Sequence, residues 1–399
     1  MSESEFDQTT SRMHEYALKT AESRGRRHPE PPHRYRNVYQ RDRDRIVHSR
    51  AFRRLENKTQ VFTTRFSDHF RNRLTHTIEV AQISRTIAGV IGLNEDLVEA
   101  LALVHDIGHP PFGHAGEHTL NRIMQQFGER FDHNLHALRI VESFEQRYAE
   151  FAGLNLTFEV REGIIKHSRD YFPEHHPELS EYALDQRPPL EAQLIDLADE
   201  VAYNTADLDD GMEAKLLTIE SLRADLPIFD EYFRQIIARY PAAAAKMQFN
   251  EVIKMILNFL ATDLMENSLA EIARIGIKSV ADVRACPRRI IAFSKEAAEH
   301  KNILKKYLYK HLYAHPALAP EREAGLLAME RLFQLYLDHP DKMPRGYAEQ
   351  AQQSVGGVPL HRVVCDYIAG MTDPYVLRLA QEQFGPASHS VSTGAGPRV

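Results

Sequence analysis

Apolar residues recur at helical spacing along most of this chain, whereas the strict alternation that is typical of half-buried strands is scarce. One such row begins at Leu74 and ends at Gly92, which predicts a largely buried helix with glycine at its end. Asn94 then has the side chain of a helix N-cap, and Glu95 and Asp96 follow in the first turn, where acidic groups are favourable. The pattern therefore predicts an all-α fold. Further helices are predicted over residues 134–149, 159–168, 190–209, 226–247, 250–266, 287–312, 320–338 and 360–384.

The pattern also predicts how the chain is organised. Residues 1–33 are largely polar and predict a loosely held lead-in, and the small, polar residues 386–399 predict a disordered tail. Between them we expect a compact core over 34–215. A C-terminal helical region over 216–385 is expected to complete the site and to form contacts in an oligomer. Residues 168–189 predict a long loop, and loops of this length are often functional.

Composition narrows the class of protein. The 399 residues are 43% hydrophobic and 26% charged, as is usual for a globular protein in solution. Cys286 and Cys365 are the only cysteines, too few for a disulfide framework, which favours a reducing cytoplasm. The polar N-terminus is unlike a secretory signal, and no apolar run approaches the roughly 18 residues of a membrane span. We therefore predict a cytoplasmic protein without a membrane partner.

Charge is unevenly distributed along the chain. The net charge of −7 argues against a protein whose whole surface binds nucleic acid. Residues 24–54 are nevertheless dense in arginine. This segment is either a solvated surface or a binding site for a polyanionic ligand, and composition does not decide between the two.

The segment 101–117, LALVHDIGHPPFGHAGE, has a high density of histidine and acid for a stretch that begins as an apolar helix. His105 and Asp106 are adjacent, and adjacent side chains within a helix point about 100° apart. At a helix C-terminus, where Gly108 is a usual stop signal, both side chains can converge on one ion. His109 precedes two prolines, and we interpret it as a supporting rather than a catalytic residue.

A second set of polar residues lies in the predicted helix 190–209. Asp199, Tyr203 and Asp207 recur every four residues and therefore share one stripe of this helix. Such a stripe usually faces solvent, but the apolar residues on either side leave little of this helix exposed. The candidate ligands for a divalent metal are His76, His105, Asp106 and Asp199. This set of imidazoles and carboxylates suits Mn²⁺, Fe²⁺, Zn²⁺ or Mg²⁺.

These motifs belong to a longer series with a consistent order. The series comprises SRAFRRLENKTQVF (49–62), RLTH (73–76), ALVHDIGHPPFGHAGE (102–117), FDHN (131–134), IDLADEVAYNTADLDDG (195–211) and VVCDYIAGMTDPY (363–375). It resembles the HD-superfamily deoxynucleotide triphosphohydrolases, most closely the bacterial deoxyguanosinetriphosphate triphosphohydrolase-like group. The resemblance implies an HD-domain helical bundle with a C-terminal helical extension. It also implies metal-dependent hydrolysis of a dNTP, either dGTP or a broader range, to a deoxynucleoside and inorganic triphosphate.

The resemblance further implies roles for individual residues and for partners. Members of this family form homo-oligomers, often hexamers, and in some of them a dNTP effector bound at a second site activates the enzyme. Some members have a lysine directly after the last metal-binding aspartate, whereas Glu200 stands here and cannot bind a phosphate. The implied metal ligands are His76, His105, Asp106 and Asp199; the catalytic residues are His114, Glu117 and His133; the substrate-binding residues are Gln60, Arg73, Lys166, Tyr203 and Asp207.

Two other functions compete with this one. The first is another HD-type nucleotide phosphohydrolase, although the HHE and GYP patterns of the cyclic-dinucleotide enzymes are absent from this sequence. The second is a regulator without enzymatic activity that binds dNTPs or single-stranded nucleic acid through the arginine-rich segment 24–54. Chelation distinguishes an enzyme from the regulator. An enzyme with this metal site should lose its activity when the metal is removed, whereas a binding protein should lose little of its binding.

Overall fold

The computed structural model describes residues 13–63, 69–352 and 357–385, and it confirms the all-α fold. Within these ranges helices are joined by turns, and the extended backbone forms isolated β-bridges but no strand. The predicted disordered tail, 386–399, lies outside the described residues. The α-helices are α1 Val38–Val47, α2 Arg50–Arg54, α3 Arg73–Ile91, α4 Glu95–Val104, α5 Gly113–Gln125, α6 His133–Arg139, α7 Phe158–Ile165, α8 Leu190–Glu213, α9 Ile219–Asp225, α10 Pro227–Arg239, α11 Ala245–Ile275, α12 Val280–Ala285, α13 Lys295–Leu308, α14 Ala319–Asp338, α15 Arg345–Gln352, α16 Leu360–Ala369 and α17 Asp373–Phe384.

The ends of α3 and α4 follow the predicted signals. Gly92 has a φ of 74° at the end of α3, in the left-handed region that glycine adopts at little cost. The Asn94 side chain accepts a hydrogen bond from the backbone N–H of Leu97 at 3.2 Å and so caps α4. His76 lies at the start of α3 and His105 at the end of α4, and the pair of helices brings their rings within 5.8 Å of each other.

Other predicted boundaries were wrong. The predicted helices 226–247 and 360–384 are each interrupted, by the turn that contains Pro241 and by the turn that begins at Gly370. The predicted helix 134–149 starts at His133 and ends as a wide π-turn at Ile140–Phe144. In the predicted helix 287–312, residues 287–294 are not helical, and the Gln193 side chain accepts from the backbone N–H of Ile290 in this segment at 2.7 Å.

The buried apolar residues form two clusters of different size. The larger cluster runs from the N-terminal segment through α1–α4 and α6–α13, so the core is continuous across position 215, where we had placed a boundary. The smaller cluster joins α5 to α14, α16 and α17. The helix that contains His114 and Glu117 is therefore packed against the C-terminal region rather than against the main core.

The described part of the N-terminal lead-in is anchored, contrary to our expectation of a loosely held segment. Tyr16 and Leu18 are buried, and the Tyr16 hydroxyl donates to the carbonyl of Ile91 at 2.8 Å. The buried carboxylate of Glu191 accepts from the backbone N–H groups of Leu18 and Asn94, at 2.9 and 3.1 Å. Residues 13–18 therefore cover the junction between α3, α4 and α8.

The arginine-rich segment is largely paired within the fold. Arg45 makes two bonds of 2.7 Å to the Glu30 carboxylate, and Arg26 donates to the buried Asp42 at 2.5 Å. These arginines therefore have a structural role, which weakens the case for a polyanion site in this segment. Among the helices of the described residues, none has the length and apolar content that crossing a membrane requires.

Candidate metal centre and active site

Four predicted metal ligands come together where α3, α4 and α8 meet. His76 lies in the first turn of α3, His105 directly follows α4, and Asp199 lies in the middle of α8. His76 Nε2 is 2.8 Å from Asp199 Oδ1, and His105 Nε2 is 3.9 Å from the same oxygen. The Asp106 carboxylate is 3.5 Å from His105 Nε2. The turn at the end of α4 thus allows the adjacent His105 and Asp106 to face one point.

The donor set fits a divalent cation. His105 Nδ1 lies 2.6 Å from the carbonyl of Ala102, so Nδ1 carries the proton and donates it to that carbonyl. Its Nε2 is buried and has no hydrogen-bond partner, which leaves a lone pair directed at the cluster. A backbone contact of this kind is the usual way in which proteins orient a metal-binding imidazole. The ligand atoms of His76, His105 and Asp199 lie within 4.8 Å of one another.

The surrounding charges keep the two aspartates ionised, as metal ligands must be. Burial opposes ionisation of Asp106, but His105, His109 and Arg73 outweigh it and hold the pKa of this carboxyl well below its usual range. Arg73 donates to Asp106 at 2.7 Å, and His109 Nδ1 lies 3.0 Å from its other oxygen. For Asp199, burial is likewise outweighed, chiefly by the hydrogen bond to His76, and the pKa falls to about 2. His109 therefore contacts a predicted ligand, Asp106, and its supporting role stays a prediction.

A histidine–carboxylate cluster lies beside the metal centre. His114 is exposed to the cavity, and its Nδ1 is 3.4 Å from one oxygen of Glu117. The other Glu117 oxygen is 2.8 Å from Nδ1 of His133. Burial opposes ionisation of Glu117, but the hydrogen bonds with His114 and His133 hold its pKa well below the usual range. Phe112 and Gly113 have φ of 60° and 56° at the start of α5, and His114, which follows them, lines the cavity.

The metal centre and this cluster open into one cavity of about 940 Å³. Gln60, Arg73 and Tyr203 line it, as does the buried Asp207, which accepts from the Tyr313 hydroxyl at 2.5 Å. Burial raises the pKa of Asp207 to about 7, despite that hydrogen bond. A cavity of this size is within the range of small-molecule sites. The cationic residues along its walls are Arg73, Arg169, Arg289, Lys305 and Arg322.

Lys166 does not line this cavity, contrary to the role that the resemblance implied. Its Nζ is buried and donates to Glu162 at 2.8 Å and to the carbonyls of Ala183 and Gln186 at 2.9 Å. The next residue, His167, faces the cavity instead, with its ring 5.4 Å from that of His105. Helix α7 ends at Ile165, so the two side chains that follow point in different directions.

The sequence analysis did not predict that the segment 301–313 forms part of the cavity wall. Lys305, Tyr309 and Tyr313 line the cavity, and they recur every four residues. That spacing was a usable signal for one helical stripe. The Glu200 carboxylate forms ion pairs with Lys301 at 2.6 Å and with Lys305 at 3.1 Å. Glu200 cannot bind a phosphate itself, but it orients Lys305, which lines the cavity.

Replacing Lys166 should separate stability from substrate binding. We expect Lys166→Met to leave KM for the substrate of this cavity within about 2-fold, because the ammonium does not reach the cavity. We also expect it to lower the free energy of unfolding by about 1–3 kcal/mol, because it removes bonds to Glu162 and to two carbonyls. Lys305→Met, which removes a cavity-lining cation, is the matched comparison and should raise KM several-fold. Equal increases in KM for the two folded variants would contradict this assignment.

The fold and the site define the class of protein. The chain matches the HD domain over residues 73–204, a range that contains all four predicted metal ligands, and the phosphohydrolase-associated domain over residues 291–382. It is therefore a helical hydrolase of the HD phosphohydrolase type.

Comparison with whole proteins gives the family. The chain is 46% identical over 364 residues to a deoxyguanosinetriphosphate triphosphohydrolase-like protein of Ralstonia pickettii (strain 12J), covering 91% of this chain and 92% of the relative. Similar proteins with the same name occur in Azoarcus sp. (strain BH72), at 46% identity over 91% of this chain and 94% of the relative, and in Geobacter sulfurreducens, at 43% over 93% and 94%. The chain belongs to the deoxyguanosinetriphosphate triphosphohydrolase-like family.

Proposed function

We propose that this protein hydrolyses deoxynucleoside triphosphates, either dGTP or a broader dNTP range, to a deoxynucleoside and inorganic triphosphate, and that it requires a divalent metal ion. The observation that supports this best is the shared cavity. The predicted metal ligands His76, Asp106 and Asp199, the imidazoles of His114 and His133, and several cations all line one space of about 940 Å³. The names of the similar proteins point to the same substrate class.

The metal ion would be held by His76, His105, Asp106 and Asp199. When bound there it would polarise a phosphoryl oxygen and so favour attack at phosphorus. Mn²⁺, Mg²⁺, Fe²⁺ and Zn²⁺ all suit this mixture of imidazole and carboxylate ligands.

The triphosphate needs cations, because it brings several negative charges into the cavity. Arg73 is fixed by its bond to Asp106 at 2.7 Å and stands directly beside the proposed metal ligands, where its guanidinium can face an oxygen of the nearest phosphate. Lys305 lies further along the cavity wall and is held by Glu200. These two residues would place the phosphate chain between the metal centre and the rim.

His114 is suited to donate a proton to the leaving 5′-oxygen of the nucleoside. Its Nδ1 faces Glu117, so its Nε2 is the atom that is available to the substrate. The carboxylate of Glu117 orients the ring by accepting from Nδ1. The contact of His133 with the second Glu117 oxygen fixes that carboxylate in place.

Tyr203 and Asp207 are suited to bind the sugar. The half-buried Tyr203 lies one helical turn beyond Asp199, and the buried Asp207 lies one turn further and also lines the cavity. We propose that the Tyr203 ring leaves no space for a 2′-hydroxyl, which would select deoxyribose by steric exclusion. Gln60, whose Oε1 is buried without a hydrogen-bond partner, would contact the sugar or the base edge.

Incubation with each of the four dNTPs and the four matching ribonucleotides tests this proposal. The protein is supplied with Mn²⁺ or Mg²⁺, and products are identified by chromatography and by ³¹P NMR. We expect deoxynucleoside plus inorganic triphosphate, at least about 10-fold less product from ribonucleotides, and no product with excess EDTA. Monophosphate plus pyrophosphate would overturn the assigned bond. No turnover of single or mixed dNTPs would overturn the function.

Several expectations about partners stay predictions. They are a homo-oligomer, often a hexamer in this family, a dNTP effector at a second site, and single-stranded nucleic acid. The cytoplasmic location also stays a prediction.

A further inference from the structure

One carboxylate of the C-terminal region contacts two separate segments of the HD part of the chain. Asp373 begins α17 and is 6% exposed. Its Oδ2 accepts from the backbone N–H of Thr59 at 2.9 Å, and its Oδ1 accepts from the backbone N–H of Phe112 at 3.0 Å. Both oxygens are therefore used on backbone groups that lie far from each other in the sequence.

Each of these backbone groups immediately precedes a part of the candidate active site. Thr59 comes directly before Gln60, which lines the cavity. Phe112 is the residue before α5 and has a φ of 60°, which non-glycine residues rarely adopt. His114 lies two positions after Phe112, so the hydrogen bond to the Phe112 N–H is made at the turn that directs His114 into the cavity.

A second contact of the C-terminal region reinforces the first. The buried Lys58 donates through Nζ to the carbonyl of His109 at 2.5 Å and to the carbonyl of Ala369 at 3.2 Å. The Phe112 ring also packs against α14 so closely that a β-carbon at Gly325 would lie 2.5 Å from it. The segment from His109 to Phe112 is therefore held at Phe112 by α14 and α17, and at His109 by Lys58, which also binds the end of α16.

These contacts could serve stability alone, since a buried N–H without a partner costs about 1–3 kcal/mol. Two features favour a role in the reaction. Asp373 does not join arbitrary loops, because both of its partners are next to cavity-lining residues. It also uses one rigid group to set the distance between the Gln60 segment and the start of α5.

We infer that Asp373 is a positioning residue that sets His114 relative to Gln60 by holding the backbone N–H groups of Thr59 and Phe112. This inference rests on the proposed function for its kinetic consequences only. The alignment of a proton donor with the substrate is sensitive, and a displacement of about 1 Å can cost on the order of 100-fold in rate.

The test compares Asp373→Ala and Asp373→Asn with Asp366→Asn in the full-length protein. Asp366 is a matched control: it is also buried, lies in α16, and pairs with Arg139 and His136 on α6 rather than with either segment. Three quantities are measured at 25 °C: bound metal per chain, the hydrogen exchange of residues 57–63 and 109–117, and kcat and KM for the best dNTP. Melting temperatures establish that each variant is folded under these conditions.

We expect Asp373→Ala to increase amide exchange in both segments, to keep the bound metal, and to lower kcat about 100-fold with KM changed less than about 3-fold. Asp373→Asn keeps one acceptor and should lower kcat about 10-fold. Asp366→Asn should leave the amide exchange of both segments and kcat within about 3-fold of the wild type. We expect this even if it lowers the melting temperature as much as Asp373→Ala does.

Two results would overturn the inference. One is unchanged exchange in both segments of a folded Asp373→Ala protein. The other is a kcat loss that Asp366→Asn reproduces at the same melting temperature. If the wild type does not hydrolyse dNTPs, the proposed function fails, and the exchange data still decide whether Asp373 holds the two segments.

Discussion

Replacing His105 and Asp106 together by alanine should remove both the bound metal and the hydrolytic activity. The two residues supply two of the four ligands, and His105 Nε2 has no other partner in its buried position. A catalytic metal contributes several kcal/mol to transition-state stabilisation, so we expect a loss of at least about 1,000-fold in kcat/KM. Metal content per chain, determined by elemental analysis, and product formation are measured on the same samples.

The control for this variant is a histidine–carboxylate pair away from the cavity. His176 and Glu178 lie 3.0 Å apart, and the double variant His176→Ala/Glu178→Ala should keep both metal and activity. The loss of Asp106 also leaves the buried Arg73 without its partner, which can lower stability. His76→Gln keeps that ion pair and should reproduce the loss of metal in a folded protein. Full metal content in His76→Gln, or full activity in the double variant, would contradict the assigned site.

His114→Ala should lower kcat by about 100-fold to 10,000-fold while the bound metal is retained, because His114 is the proposed proton donor and lies outside the ligand set. Glu117→Gln should have a smaller effect of about 10-fold to 100-fold, since the donor remains but loses the carboxylate that orients it. Steady-state kinetics and metal analysis at one pH distinguish this result from loss of the ion. A His114→Ala protein with unchanged kcat would exclude the proposed proton transfer.

Much of the fold could be predicted because its signals are local. The helical spacing of apolar residues, the glycine at position 92 and the asparagine at position 94 act within a few residues of their place in the chain, and α3 and α4 follow them. The predicted helix 287–312 was wrong at its start for the opposite reason. There a side chain of α8, Gln193, binds the backbone of Ile290, and no local pattern records such a contact.

The candidate site divides in the same way. Motif order and spacing in the sequence predicted His76, His105, Asp106 and Asp199 as metal ligands, and the structure places the ligand atoms of His76, His105 and Asp199 within 4.8 Å of one another. Only the tertiary structure decided between Lys166 and His167 as the residue that faces the cavity, since the directions of side chains after a helix end depend on what packs there.

The tertiary structure also decided what completes the site. The second apolar cluster packs α5 against the C-terminal helices, and Asp373 meets Thr59 and Phe112 only because that packing exists. The local sequence thus determines which residues can take part in the chemistry and where the helices lie. The distances between them are set by contacts among residues far apart in the chain, which are specific to the folded molecule.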